Sequence, residues 1–210
     1  MKGLLFKDRI ELIRIYRSFF LISFVFMAMS FFSRNYSFWA VYGVFMISTM
    51  VSSIHSADES QKWSMYCDIL PMDRSVQVTE KFLYAGFLIF GCAAVYAVMW
   101  VVMSFFHMAP PASEMFIIIV AMILTGILSS SVSLMFAFWF GYQKNQLVRM
   151  GVIMIMVMFG VAILNNAGTV LDWLSAVSPI VLALGTAAVI LIVSFLCWKI
   201  ACVKYEQRQL

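Results

Sequence analysis

Windows approaching 20 apolar residues without charge recur along this chain. One polar segment interrupts them, Asp58-Glu59-Ser60-Gln61-Lys62-Trp63 followed by Leu70-Pro71-Met72-Asp73-Arg74. A helix needs about 20 such residues to cross ~30 Å of hydrocarbon, so the pattern predicts an all-α integral membrane protein. Only 11% of the 210 residues are charged and 64% are hydrophobic, against about 25% charged in an ordinary soluble domain. No hydrophilic stretch is long enough for a second, water-soluble domain. A cleavable signal peptide is not expected, because charge recurs through Arg17 and no small-residue cleavage site follows the first apolar run.

Residues 1–17 carry an amphipathic pattern. Leu5, Leu12, Ile13 and Tyr16 fall on one helical face and Lys7, Glu11 and Arg14 on the opposite one, which predicts a helix lying in the membrane interface; the alternative is that it extends the first span inward. Six spans follow. The first pair occupies 18–54 as Ser18–Phe32 and Ser37–Ile54, joined by the turn Ser33-Arg34-Asn35-Tyr36. The second pair occupies 82–140 as Phe82–Phe106 and Met115–Phe140, with Met108-Ala109-Pro110-Pro111 between them, where paired prolines cannot continue a helix. Val148–Leu164 and Pro179–Val203 complete the set (148–203), Pro179 suiting a first helical turn. Residues 55–81 and 141–149 are read as cytoplasmic loops and 204–210 as a cytoplasmic tail. The outer stretch 165–177, with Trp173, reads either as a short re-entrant helix at head-group depth or as a surface loop.

Lysine and arginine placement orients the spans. With both ends on one side, 13 of the 14 basic residues fall inside and Arg34 alone falls outside. The termini and 55–81 are therefore expected in the cytoplasm. The net charge of +4 then reflects cations beside span ends, where they meet anionic lipid, and nucleic acid is not an expected partner. The four cysteines show no paired spacing and read as free, apolar thiols. His55 and His107 sit at opposite faces and read as interfacial residues.

Within 58–70, Trp63, Tyr66, Cys67 and Leu70 recur at helical spacing. Asp58, Glu59 and Lys62 lie toward the start of that helix, where acidic groups favour its positive end. Pro71 ends it. Asp73 can cap the next helix, which carries Glu80 and Lys81 to the membrane. Such a helix presents aromatic anchors with a charged rim to the groove of a partner; the alternative is an amphipathic loop resting on the bilayer.

The pattern Asp58-Glu59, Lys62-Trp63, Tyr66, Leu70-Pro71, Arg74, Val78 and Lys81-Phe82-Leu83 resembles the signature between the second and third spans of the short type-2 ATP-binding-cassette exporter permeases. That family includes the phenol-soluble-modulin exporter subunits. The opening Met-Lys-Gly-Leu-Leu-Phe-Lys-Asp resembles the family's elbow helix, and Phe140-Gly141-Tyr142-Gln143-Lys144 its second cytoplasmic loop. Ser60 and Gln61, where charged or amide residues are usual, and Phe82 in place of tyrosine depart from the pattern and leave the subfamily open. The resemblance implies that 58–70 is a coupling helix seated in a cleft of a cytosolic ATPase, with Asp58, Glu59, Lys62, Trp63, Tyr66, Leu70, Pro71 and Arg74 in contact, and that Gly141, Lys144 and Arg149 make a secondary contact. It further implies two permease copies with a pair of ATPases that hold ATP and magnesium, in a bacterial plasma membrane.

No G-x-x-x-x-G-K-[ST] phosphate loop occurs, so the chain itself is not expected to hydrolyse ATP or to hold a cofactor. No span centre carries an acid or base, which argues against a proton- or sodium-coupled carrier. No span carries a nucleophile–base pair, which argues against an intramembrane enzyme. Small polar residues, among them Thr49 and Ser53, and the stripes Gly126/Ser130 and Ser129/Ser133/Ala137 read as close-packing positions, with a polar substrate path as the alternative. Met150, Met154 and Met158 form a stripe that reads as lipid-facing filler or, more sharply, as a deformable wall for cargo. The expected function is the transmembrane subunit of an ATP-driven exporter of amphipathic or hydrophobic peptides. The alternative is a non-transporting scaffold or immunity protein that binds toxic peptides.

Overall fold

The computed structural model describes residues 2–15, 17–32, 36–60, 63, 74–107, 111–165 and 179–207; at 2–5, 11, 15, 36–37, 56, 59–60, 113, 141–165 and 179–184 the description covers backbone alone. Six helices make up the described fold: α1 (Lys2–Ile15), α2 (Arg17–Phe32), α3 (Tyr36–Ser60), α4 (Arg74–Phe105), α5 (Ala112–Asn165) and α6 (Pro179–Glu206). Four stretches are long and apolar enough to cross a bilayer: Phe38–His55, Arg74–Phe105, Glu114–Phe140 and Gly185–Glu206. The pair α1 and α2, bent by 77°, makes a fifth if taken together.

The apolar runs set most of these boundaries. α4 stops ahead of Pro110-Pro111, with His107 in the left-handed region at φ 56°, and α6 begins at Pro179, whose missing N–H costs nothing in a first turn. The path of the chain after Phe140 differs from the sequence reading. The stretch 141–149, expected as a loop, is helical in its backbone. α5 runs on for 54 residues, roughly 80 Å at 1.5 Å per residue, and Gln143, Lys144, Gln146, Leu147 and Arg149 are all good helix formers. The expected fifth span, Val148–Leu164, lies in that continuation. The expected outer segment 165–177 lies outside the described residues apart from Asn165.

α3 and α5 form the most extensively packed helix pair; α2 lies against α3, α6 against α5, and α4 touches α3, α5 and α6. The core falls into two clusters along the bundle. One, around Met27, Val44, Ile89, Tyr96 and Met122, joins α2, α3, α4 and α5. The other, around Leu12, Val51, Ile54, Val78, Leu134 and Tyr205, joins α1, α3, α4, α5 and α6. The outward faces are equally apolar: Phe87, Phe90, Val98 and Phe105 on α4 and Leu191, Ile192 and Phe195 on α6 are exposed. Water would penalise so much contiguous apolar surface; hydrocarbon does not. The chain is a multi-pass membrane protein.

Small residues set the helix separations. A Cβ on Gly126 would stand 2.8 Å from Val44 Cγ1 and 2.9 Å from Ile89 Cγ2, so α5 approaches α3 and α4 more closely than any side chain would allow. The hydroxyls of Ser48 and Ser129 lie 2.8 Å apart across α3 and α5, those of Ser131 and Ser194 2.7 Å apart across α5 and α6, and Ser30 reaches Tyr96 at 3.0 Å across α2 and α4. These residues sit where helices meet. Cys92 and Cys197 are buried free thiols and Cys202 is half-buried.

Candidate functional site

Five charged side chains converge where α1 meets the end of α3 and the start of α4. Lys81 Nζ donates to Asp8 Oδ2 at 2.5 Å and to Asp58 Oδ2 at 2.7 Å. Lys7 pairs with the other oxygen of Asp58 and stands 3.8 Å from Asp8. Glu80 Oε2 lies 3.9 Å from Lys81, while its Oε1 has no hydrogen-bond partner among the described residues. Asp8 is 1% exposed, Asp58 5%, Glu80 2% and Lys81 6%.

Local sequence explains how each group arrives there. Asp8 and Leu12 are one helical turn apart on α1, and both are buried, so the face of α1 that meets the bundle carries one carboxylate and one apolar anchor. Phe6, Ile10 and Ile13, at the i, i+4 and i+7 positions of another face, are exposed. This corrects the face assigned from sequence: Leu12 and Ile13, grouped there on one apolar face, separate, Leu12 buried beside the Asp8 that pairs with Lys81 and Ile13 exposed. Asp58–Ser60 belong to α3 and are not the first turn of a separate helix, so the favourable dipole argued for Asp58 does not operate. The ammonium groups of Lys7 and Lys81 compensate its charge instead. Glu80 and Lys81 lie two turns into α4.

The cluster holds two ammonium groups and three carboxylates among the described residues. Such a buried array is costly to assemble, and it penalises the loss of any one member heavily, since the remaining charges stay buried without compensation. It acts as an ionic clamp across three helices. The segment 61–73 runs between α3 and α4, and the Asp58–Lys81 pair closes the helices at its base. Trp63, half-buried, lies beneath the Lys7 ammonium, 4.5 Å from ring centroid to Nζ, a cation–π contact that ties this segment to α1. A second polar layer joins α4 to α6: Trp198 Nε1 donates to Thr79 Oγ1 at 3.2 Å and the Tyr205 hydroxyl donates to Gln77 Oε1 at 3.1 Å. His55, expected at the interface, is 7% exposed and lies tilted against the Phe138 ring with centroids 4.0 Å apart.

The residues assigned from sequence are distributed as follows. Asp58, expected on a charged rim, is committed inside the chain. Arg74 is the first residue of α4 and half-buried. Glu59 lies on the backbone of α3 with its side chain undescribed, and Lys62, Tyr66, Leu70 and Pro71 lie outside the described residues, as does Asp73. Gly141, Lys144 and Arg149, and the Met150, Met154 and Met158 stripe, lie on the helical backbone of α5 with undescribed side chains. Thr49 and Ser53 are half-buried on α3, the first donating to the Met46 carbonyl at 2.8 Å and the second to that of Thr49 at 3.2 Å. The sequence reading did not connect Lys7, Asp8, Glu80 and Lys81. Its one available signal was a carboxylate at Asp8 sharing a face with Leu12. Among the described residues no group of three or more His, Cys, Asp or Glu is placed to hold a metal.

A family model described as ABC-2 family transporter protein matches residues 3–206. No curated protein and no solved structure matches the chain.

Proposed function

This chain belongs to the ABC-2 transporter family and is a transmembrane subunit of an ABC transporter, and from that premise we propose that it is worked by a separate cytosolic ATPase to export amphipathic peptides. The ionic clamp carries the reading. A partner pressing on 61–73 would deliver its force to a base where α1, α3 and α4 are already locked together, so the helices would tilt as a unit rather than the segment bending alone. Small closures become large helix movements when packed elements have discrete arrangements.

The sequence carries no phosphate-loop motif, and in this reading ATP and magnesium would belong to the partner pair. Two permease copies would face two ATPases. The distribution of lysine and arginine supports a topology in which the clamp and both described ends of the helix set would face the cytoplasm, and the membrane would be a bacterial plasma membrane. α1 would then lie in the inner interface as an elbow, with Phe6, Ile10 and Ile13 toward lipid and Asp8 and Leu12 toward protein. Cargo of an apolar or amphipathic kind fits an interior whose hydroxyls are already spent on packing; the Met150–Met158 stripe would offer it a deformable wall.

Trp63 is the point to test. In Trp63→Ala the protein should insert and co-purify with its ATPase, while ATP hydrolysis no longer drives peptide export from inverted vesicles. Lys7→Gln keeps the ring but removes the cation beneath which it sits. Export that survives Lys7→Gln and fails in Trp63→Ala assigns the ring to the ATPase contact. Unchanged export by Trp63→Ala removes Trp63 from the mechanism.

A further inference from the structure

A groove of about 530 Å³ opens between α2 and α4 beside the bend that separates α1 from α2. It reaches the packed core at Met27, Ile47 and Cys92, which are 2%, 2% and 8% exposed. Its wall is hydrocarbon apart from two groups. The Ser23 hydroxyl is spent on the Gly43 carbonyl at 2.7 Å. Arg17, exposed at the mouth, makes no ion pair or hydrogen bond among the described residues.

We propose that this groove holds one acyl chain of an anionic phospholipid, with the lipid phosphate on the Arg17 guanidinium. The chemistry matches at both ends: a dry apolar slot asks for hydrocarbon, and a lone cation at its rim asks for a phosphate, which guanidinium binds through paired N–H donors. Depth distinguishes the site from ordinary boundary lipid, because the chain would contact residues that also form the core. Occupancy would hold α1 at its bend, ten residues from the Lys7 contact with Asp58. The proposal needs only that the chain spans a bilayer, so its failure leaves the exporter reading standing, and failure of the Trp63 test leaves this site standing.

The experiment counts bound lipid by native mass spectrometry on the full chain in mild detergent, titrated with phosphatidylglycerol or phosphatidylcholine. Wild type should retain one phosphatidylglycerol per chain in preference to phosphatidylcholine, and Arg17→Gln should lose about fivefold of that preference. A Cβ on Gly91 meets nothing within 4 Å, so Gly91→Phe fills the groove without disturbing the helix and should abolish retention of both lipids; Gly91→Leu serves the same purpose where the larger ring lowers yield. Equal retention by all variants, or none by wild type, overturns the proposal. A disulfide-linked dimer formed by Gly91→Cys and absent from wild type would assign the groove to a second copy and overturn it too, as would displacement of phosphatidylglycerol by an amphipathic peptide but not by excess phosphatidylcholine.

Discussion

Two sets of polar contacts between helices differ in kind, apart from the neutral pairs Trp198–Thr79 and Tyr205–Gln77 that join α4 to α6. In mid-span the contacts are neutral: hydroxyl meets hydroxyl between Ser48 and Ser129 or Ser131 and Ser194, on helices brought close by Gly126. At the α1 end they are ionic, and Lys81 alone binds carboxylates from two other helices. A hydroxyl in hydrocarbon can turn back to its own helix when its partner leaves. A buried carboxylate cannot. The mid-span contacts therefore tolerate sliding, whereas the clamp admits only a closed arrangement or a disrupted one, which suits a part that must transmit force.

The largest effect is expected at Lys81. Lys81→Met leaves Asp8 and Asp58 buried with Lys7 as their remaining cation, and removing one partner of a buried pair costs about 3–5 kcal/mol. Thermal unfolding in mild detergent should show a stability loss of that order. Adding Asp58→Asn to the same chain should recover part of it, since one uncompensated charge disappears. A double variant no more stable than the single would break the contrast, because it would mean that Lys81 matters for its shape and not its charge.

Gly126→Ala should rank next. The new methyl meets Val44 and Ile89, both β-branched and stiff at χ1, so the helices must separate, at about 1–3 kcal/mol for overpacking. Gly91→Ala is the matched control: its Cβ meets open space, and the change should leave stability equal or slightly raised through helix propensity. Equal responses at the two glycines would show that α5 does not depend on close approach at Gly126.

These regions also differ in how far the sequence disclosed them. Four spans were legible because their signal is local: apolar length marks Phe38–His55, the prolines end α4 and Pro179 opens α6. Six separate spans were expected, whereas α2 counts as one only together with α1. The close-packing role of Gly126 and Ser129 was legible from small residues at four-residue spacing on one helix. The clamp was not, because Lys7 and Asp8 meet residues about 50 and 73 positions away, and no pattern within α1 states which distant charge will arrive. Apolar periodicity also grouped Ile13 with Leu12, although Leu12 is buried and Ile13 is exposed. The unbroken backbone of α5 through 141–149 was missed for a related reason: Lys144 and Arg149 read as the charges of a loop, yet the same residue types are strong helix formers.

The smallest effect is expected at Ser129, and it bears most directly on the mid-span side of the contrast. The Ser48 hydroxyl already lies 2.7 Å from the Phe45 carbonyl of its own helix, so it has an acceptor for its single proton whether or not Ser129 is present. Ser129→Ala removes one of the two acceptors of the Ser48 hydroxyl and leaves the Phe45 carbonyl to take its proton, so no buried group is stranded. Interhelical hydrogen bonds in membrane proteins average about 0.6 kcal/mol, and the variant should lose no more than that in detergent unfolding. A loss comparable with Lys81→Met would mean that the hydroxyl pair locks α3 to α5 as firmly as the ions lock α1, α3 and α4, and the mid-span would then be as rigid as the clamp.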